Sequence, residues 1–489
     1  MLFESFKRMR TERSGEAAFL VASGDRSVPI SWRQFTDDID LVARIIRSRA
    51  PGAKVALLGE NSYEWMVAHA ALLFSGATAV PLDVNLTAAE IVERLTEIGS
   101  STLIYSSLYI DKAREVRRLM PVVYTAAFGS LKTERFLERF RLGFSARESI
   151  WTREEVPCDQ TSMIVFTSGT TLKPRGVELT IRALEEFVSA WSRALELQAG
   201  RRSLMLLPLY HIFGICSDYL MLASGVALGV CPDFRRLYDA TERFRVNFLF
   251  LVPALADILA TKIERRGKSA EEALGTPIDW ILVGGAPMPR RTFERLFGLG
   301  VKVIAAYGLT ETCALYSVTP ADGDAHVGSA GRVPVGSATE ARVSDDGELL
   351  LKSPAVMKGY YGDPERTAQV IDADGWFHTG DSGRIDEEGF VWITGRLSRT
   401  IVLSSGKKIA PEELEERILR IPGIREVLVS GEAETRQLKA EVYGVLSPEA
   451  AKQAIGRMNL LLPVYKRVNV VEVRDTPFPR TSSGKIKAR

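Results

Sequence analysis

The feature that most limits how this chain can fold is a repeated rhythm: a short apolar run, a turn holding glycine or proline, then an amphipathic stretch. Residues 54–58 read as a buried strand and 65–74 as the helix after it. Further buried strands are expected at 102–105, 163–166, 204–207, 248–252, 280–283 and 301–305, most of them followed by the same turn and helical pattern. Strands that alternate with helices predict βαβ units and largely parallel sheets. In such sheets ligands bind beyond the carboxyl ends of the strands. The chemically suggestive segments of this chain fall there.

The C-terminal part breaks the rhythm. Residues 414–419 read as a helix, 427–430 and 440–445 as strands, and 448–460 as a helix. This predicts a small, separate α+β domain. The glycine-led polar run Gly395-Arg396-Leu397-Ser398-Arg399 is the natural hinge. The expected layout is therefore an α/β N-terminal domain, 1–394, a hinge, 395–399, centred on Ser398, and a mobile C-terminal lid, 400–489.

Length supports more than one domain, since 489 residues exceed what a single core usually serves. A formal charge of +2 gives no reason to expect nucleic acid or an anionic membrane as partner. Cys158, Cys216, Cys231 and Cys313 are scattered, and His69, His211, His326 and His378 offer no zinc spacing with them. A reduced, cytoplasmic setting fits that pattern. The N-terminus, Met1-Leu2-Phe3-Glu4-Ser5, has no basic region before an apolar run, so no signal peptide is expected. The most apolar long stretch, 209–230, carries His211, Gly214 and Asp218. It suits a buried pocket wall better than a membrane span, though peripheral membrane contact stays open.

Four segments carry chemistry. After the strand ending at Phe166 comes Thr167-Ser168-Gly169-Thr170-Thr171-Leu172-Lys173-Pro174-Arg175-Gly176. Hydroxyls, a close-approaching backbone and two cations make a phosphate cradle. The spacing is not that of a Walker loop. A plain surface turn has no need of four hydroxyl residues around one glycine. The second segment is Tyr307-Gly308-Leu309-Thr310-Glu311-Thr312. Its tyrosine can stack on a purine and its carboxylate can hold Mg²⁺, but alone it could be a capped helix start. The third is Asp374-Gly375-Trp376-Phe377-His378-Thr379-Gly380-Asp381. A carboxylate there can accept both hydroxyls of a ribose, and taken alone the segment reads equally as a capped hairpin turn. The fourth is Pro479-Arg480-Thr481-Ser482-Ser483-Gly484-Lys485. Its lysine can enter an active site from a mobile domain, or belong to a solvated basic tail.

In this order and spacing the four segments resemble the ANL superfamily: acyl-CoA synthetases, adenylation domains and firefly-type luciferases. The likeness runs from about Gly52 to Lys485. It includes Gly347-Glu348-Leu349, Met357-Lys358-Gly359-Tyr360-Tyr361, and the run from Gly395-Arg396 to Ile409-Ala410-Pro411-Glu412-Glu413-Leu414-Glu415. Ile401 to Lys408 and the DGWFHTGD stretch look most like bacterial fatty acyl-CoA synthetases. The resemblance implies ATP-dependent activation of a carboxylic acid to an acyl-adenylate, with Mg²⁺ as cofactor, then transfer to the thiol of CoA. It implies Thr167 and Glu311 as metal ligands and Ser168, Gly169, Thr170, Thr171 and Lys173 around the phosphates. Tyr307 and Gly308 would lie against adenine beside Gly285 and Ala286, Thr310 at the α-phosphate, and Asp381 on the ribose with Arg396 beside it. Lys485 would bridge acid and α-phosphate. Rotation at the hinge would then bring Ser405 and Gly406 in to line the CoA path.

Three positions depart from the family pattern. Leu172 stands for a glycine, Arg175 for a lysine, and Ser398 for an aspartate or lysine. The acyl pocket is expected around Pro208-Leu209-Tyr210-His211-Ile212-Phe213-Gly214, with His211, Gly284 and Gly285 as walls. Amino-acid-activating relatives carry an aspartate where His211 stands, which points to an apolar acid without an α-ammonium group. Two other readings compete: a ligase that loads an acyl carrier protein, and a non-catalytic nucleotide-binding protein.

Overall fold

The computed structural model describes residues 1–49, 52–128, 149–152, 156–167, 174–267, 269–319, 327–403, 408–431, 437–479 and 486. These fall into two compact units. The larger holds 1–167, 174–340 and 352–369, and the smaller holds 341–351 and the residues from 370 on.

The larger unit contains two sheets. Edge to edge, the described strands of the first are Ser317–Val318, Val303–Tyr307, Trp280–Val283, Phe248–Leu251, Arg202–Met205, Ala227–Val230, Ala17–Ser23 and Arg26–Ser31. Those of the second are Gly359–Tyr360, Gly176–Thr180, Thr161–Phe166, Thr78–Leu82, Lys54–Leu58, Thr102–Tyr105 and Tyr124–Ala127. Inner strands pair in parallel, as in Phe248↔Trp280, Ile281↔Val303 and Lys54↔Thr78. Antiparallel pairing is confined to the ends, for example Val165↔Val177 and Tyr360↔Val177. The expected βαβ rhythm is thus what forms.

Its physical basis is burial on both faces. Phe248, Leu249, Phe250 and Leu251 are all buried, as are Trp280 to Val283. Each such side chain contributes roughly 1.5–3 kcal/mol when removed from water. The helices Tyr63–Ser75 and Ile212–Ala223 are apolar on nearly every side and buried almost throughout, so both lie inside the unit, not on its surface. Ser62 caps the first by accepting from Trp65 N, and Gly76 ends it in the left-handed region at φ 77°. Buried Asn61 then ties the two sheets at their carboxyl ends. Its Nδ2 donates to Leu207 O at 2.9 Å and its Oδ1 accepts from Leu209 N at 3.2 Å.

Two strands are displaced as a whole, by two residues each, from their expected places. The strand expected at 204–207 is Arg202–Met205, because Leu207 O turns away to Asn61. The strand expected at 301–305 is Val303–Tyr307, because Val301 N is still bonded to Leu296 O at the preceding helix end.

In the smaller unit, Glu348–Lys352, Phe377–Ile385 and Val391–Arg396 form an antiparallel sheet with Glu340–Val343 at its edge. A second sheet holds Ile424–Gly431, Leu438–Gly444 and Val468–Arg474. The last two strands are parallel and are joined across the helix Pro448–Asn459. With Pro411–Leu419 this helix buries Leu414, Ile418, Val427, Ala440, Val442 and Ile455 in one core. The C-terminal α+β character expected from the sequence is present.

Candidate active site

Four residues of the larger unit form a chain of contacts at one end of the second sheet. Thr167 follows the strand Thr161–Phe166, and its N–H donates to Arg175 O at 2.9 Å. The Arg175 guanidinium lies over the Tyr360 ring, 5.5 Å from its centroid. The Tyr360 hydroxyl donates to Glu311 Oε1 at 2.9 Å. Met357 N donates to Glu311 O at 2.7 Å. The two expected metal ligands, Thr167 and Glu311, are therefore linked through Arg175 and Tyr360. Burial, with the Glu311 charge second, pushes the Tyr360 phenol above its ordinary range, so it stays a neutral donor. In the sequence Tyr360 stands within the segment Met357 to Tyr361 without a role of its own, because a tyrosine 49 residues from its partner carries no local signal.

Glu311 stands on a strained turn. Thr310–Thr312 is a single 3₁₀ turn, followed by Cys313 at φ 49° and Ala314 at φ 61°. Two consecutive non-glycine residues in the left-handed region cost of order 1–3 kcal/mol each. The turn is held by Leu309 N donating to Thr312 Oγ1 at 3.0 Å and Ala314 N to Leu309 O at 2.8 Å. Gly308 makes the turn possible, since a Cβ there would sit 2.0 Å from Ala314 O. Thr312, not Thr310, supplies the capping hydroxyl, so the Thr310 side chain is not used in that cap. Tyr307 ends its strand with its ring 5.0 Å from that of Tyr316.

Gly284 and Gly285 end the neighbouring strand. A Cβ on Gly284 would lie 3.2 Å from the Phe213 ring and 3.4 Å from Ala306 O. Gly285 is at φ 78°, which strongly favours glycine. Phe213, half-buried at the start of the helix Ile212–Ala223, therefore faces the glycine pair. Phe213 is the residue of the segment 208–214 that is set against this pair. His211 caps the same helix by position and packs on Tyr210 at 4.7 Å. Ile215, Tyr219, Leu220 and Met221 are fully buried core.

In the smaller unit, Asp381 is buried and its Oδ1 lies 2.8 Å from Arg396 Nε. Thr379 holds both: its Oγ1 accepts from Asp381 N at 3.0 Å and its carbonyl from Arg396 Nη1 at 3.1 Å. Glu348 braces the same stretch, accepting from Gly380 N at 2.7 Å and meeting His378 Nδ1 at 2.8 Å. The hairpin cap in this region is Asp372, which accepts from Asp374 N and Trp376 N. Asp381 does not make that cap. Ser398 is exposed in the 3₁₀ turn Leu397–Arg399. Next to it Arg399 is clamped to Glu412 at 2.9 Å and Glu415 at 2.6 Å.

Ser168, Gly169, Thr170, Thr171, Lys173, Ser405, Gly406 and Lys485 lie outside the described residues. Among the described residues no three of His, Cys, Asp and Glu converge on a metal.

Similarity to known proteins agrees with this geometry. Residues 7–361 match the AMP-binding enzyme family, and the chain belongs to that family. A long-chain-fatty-acid–CoA ligase of Mycobacterium tuberculosis is 29% identical over 453 residues, covering 89% of this chain and 87% of that one. An indoleacetate–CoA ligase of Aromatoleum aromaticum is 30% identical over 487 residues, covering 94% and 92%. Among solved structures, the o-succinylbenzoate CoA synthetase of Bacillus subtilis in complex with ATP and magnesium is similar with a TM-score of 0.81 at 25% identity, covering 99% of this chain and 98% of that one. The fold is the one shared by these acyl-CoA synthetases.

Proposed function

We propose that this chain activates an apolar carboxylic acid as its acyl-adenylate and then transfers the acyl group to the thiol of CoA. The observation that carries the reading is the contact chain Thr167–Arg175–Tyr360–Glu311, which gathers a hydroxyl residue, a cation and a carboxylate at one end of the sheet. The acid–CoA ligase relatives support the same chemistry.

The acid's carboxylate attacks the α-phosphorus of ATP and pyrophosphate leaves. Two anions meet, so the site must supply positive charge and hold an in-line geometry. Arg175, Lys173 and Lys485 are assigned that charge, and Lys485 the bridge between the acid and the α-phosphate. Ser168 to Thr171 wrap the phosphates. The residues present fit a divalent cation: Glu311 uses Oε1 for Tyr360, and its Oε2 makes no hydrogen bond among the described residues. Thr167 and Glu311 would hold Mg²⁺, which when bound offsets phosphate charge. Tyr307 and the glycine pair Gly284-Gly285 flank the adenine, and Asp381 accepts the ribose hydroxyls. Phe213 and the glycine pair shape the acyl wall, and His211 stands where amino-acid-activating relatives carry an aspartate.

The second half-reaction needs another face of the 400–489 region, and we assign the pivot to Ser398. The bonding around it supports this. Arg396 is held by Asp381 and Thr379 on one side, and Arg399 by Glu412 and Glu415 on the other. Leu397 and Ser398 are the link between the two clamps. Rotation there would withdraw Lys485 and bring in Ser405 and Gly406. No described helix is long and apolar enough to cross a membrane, and we place the reaction in the cytoplasm.

The test is acid-dependent exchange of pyrophosphate into ATP without CoA. Lys485→Ala is expected to lose exchange while keeping its fold. Normal exchange in that variant contradicts the assignment.

A further inference from the structure

We propose that Tyr360 is a positioning residue for the metal-binding carboxylate Glu311, and that it couples this carboxylate to the exit of the phosphate loop. The inference rests on the reading of Glu311 as a metal ligand. It adds a residue that neither motif contains.

Tyr360 is held rigidly. It is 8% exposed. Its strand, Gly359–Tyr360, pairs antiparallel with Gly176–Thr180, which places Tyr360 opposite Val177, two residues beyond Arg175. Its N–H donates to Thr367 Oγ1 at 2.9 Å. From this fixed backbone the hydroxyl reaches Glu311 Oε1 at 2.9 Å, while Met357 N, three residues earlier, holds the Glu311 carbonyl at 2.7 Å. The segment 357–360 therefore grips Glu311 by both backbone and side chain.

A carboxylate that serves a metal through one oxygen is oriented by a hydrogen bond to the other, and such outer partners tune affinity by about 10- to 100-fold. A phenol suits the task because it donates without bringing a charge that competes with the cation. The ring does a second job. The Arg175 guanidinium rests on it at 5.5 Å. A planar guanidinium lies on an aromatic face in a way that a compact ammonium does not. The arginine that stands for a lysine at this position thus has a partner in the fold. A shift of the phosphate loop's exit and a shift of Glu311 are transmitted through one side chain.

The test is calorimetric titration of wild type, Tyr360→Phe and Glu311→Gln with Mn²⁺·ATP and with metal-free ATP. Manganese bound in the same samples is counted by electron paramagnetic resonance. Phenylalanine keeps the ring under Arg175, so the urea midpoint of Tyr360→Phe is expected to stay close to wild type. Its affinity for Mn²⁺·ATP is expected to fall about tenfold while that for metal-free ATP stays within about twofold. Glu311→Gln is expected to lose at least as much. If Glu311→Gln weakens Mn²⁺·ATP and Tyr360→Phe does not, the proposal is overturned and the reading of Glu311 survives. If neither variant changes it, both fall. Equal weakening with and without metal makes Tyr360 a structural or nucleotide contact and also overturns the proposal. Tyr360→Gln, which retains a donor, guards against a folding defect. Binding intermediate between wild type and Tyr360→Phe supports the role, and binding no better than Tyr360→Phe counts against it.

Discussion

Arg396 Nε lies 2.8 Å from Asp381 Oδ1, and the two side chains are unequally placed: the carboxylate is 6% exposed and the arginine 45%. An ionised carboxylate offers about four lone-pair sites, enough in kind to accept two ribose hydroxyls. Asp381→Asn replaces one acceptor oxygen with a donor. The KM for ATP is expected to rise about 10- to 100-fold, the range for losing a charge-assisted hydrogen bond. The variant is also expected to stop distinguishing ATP from 2′-deoxy-ATP. Initial rates with both nucleotides measure this, and an unchanged KM with discrimination intact contradicts the ribose role.

The pivot predicts a split between half-reactions. Ser398→Pro fixes φ and removes an N–H at the link between the Arg396 and Arg399 clamps. Pyrophosphate exchange is expected to stay within a few-fold of wild type, while thioester formation falls about 100-fold or more. Parallel assays of the two steps decide it. An equal loss in both means that the residue serves the fold and not the switch.

Strain at the Glu311 turn predicts a contrast between two glycines. Gly308→Ala sets a methyl against Ala314 O, and backbone cannot move aside cheaply. A loss of about 2–4 kcal/mol is expected, together with loss of exchange activity. Gly298, at the end of the helix Arg290–Gly298, has open space around its Cβ position. Gly298→Ala is expected to be neutral or stabilising by up to about 1 kcal/mol. Urea unfolding of both variants measures the difference, and similar midpoints contradict the close approach.

Much of this architecture was legible because parallel strands buried on both faces must be apolar throughout. That is why 248–252 and 280–283 stand out in the sequence. The motif residues were legible because strand ends in such sheets carry ligands, and because the motifs keep the spacing of the resemblance. Pairings formed across long sequence separations were not legible. Tyr360 reaches Glu311, Phe213 faces Gly284, and Leu350 pairs with His378, each through tertiary contact alone. That Phe213, within the segment 208–214, is the side chain set against Gly284 is likewise a matter of tertiary position.

Two buried groups predict a pH signature. Burial pushes His69 down to about 3 from an ordinary 6.5, and pushes Asp218 well above its ordinary 3.8. His69 Nδ1 meets Tyr219 OH at 2.9 Å, and Asp218 Oδ2 has no hydrogen-bond partner among the described residues. Below 6.5 the unfolded chain binds the extra His69 proton, which makes stability rise with pH, and above 3.8 the folded chain binds the extra Asp218 proton, which makes it fall. The Asp218 fall continues as pH rises for as long as the buried acid stays protonated. Asp218→Asn is expected to remove that fall, so its advantage over wild type grows from pH 4 upward. In the variant the His69 slope is uncovered, and stability drops as pH falls from 6.5 toward 3. Urea midpoints at pH 5, 7 and 8 check this. Identical pH dependence in both proteins contradicts it.

The most direct measurement incubates the purified chain with Mg²⁺, ATP and a panel of fatty, aryl and amino acids, with CoA added or omitted, and follows AMP, pyrophosphate and thioester together. The predicted result is acid-dependent pyrophosphate exchange without CoA, AMP and acyl-CoA formed in equal amounts with it, and preference for apolar acids over amino acids. Absence of exchange with every acid, or release of ADP in place of AMP, contradicts the account.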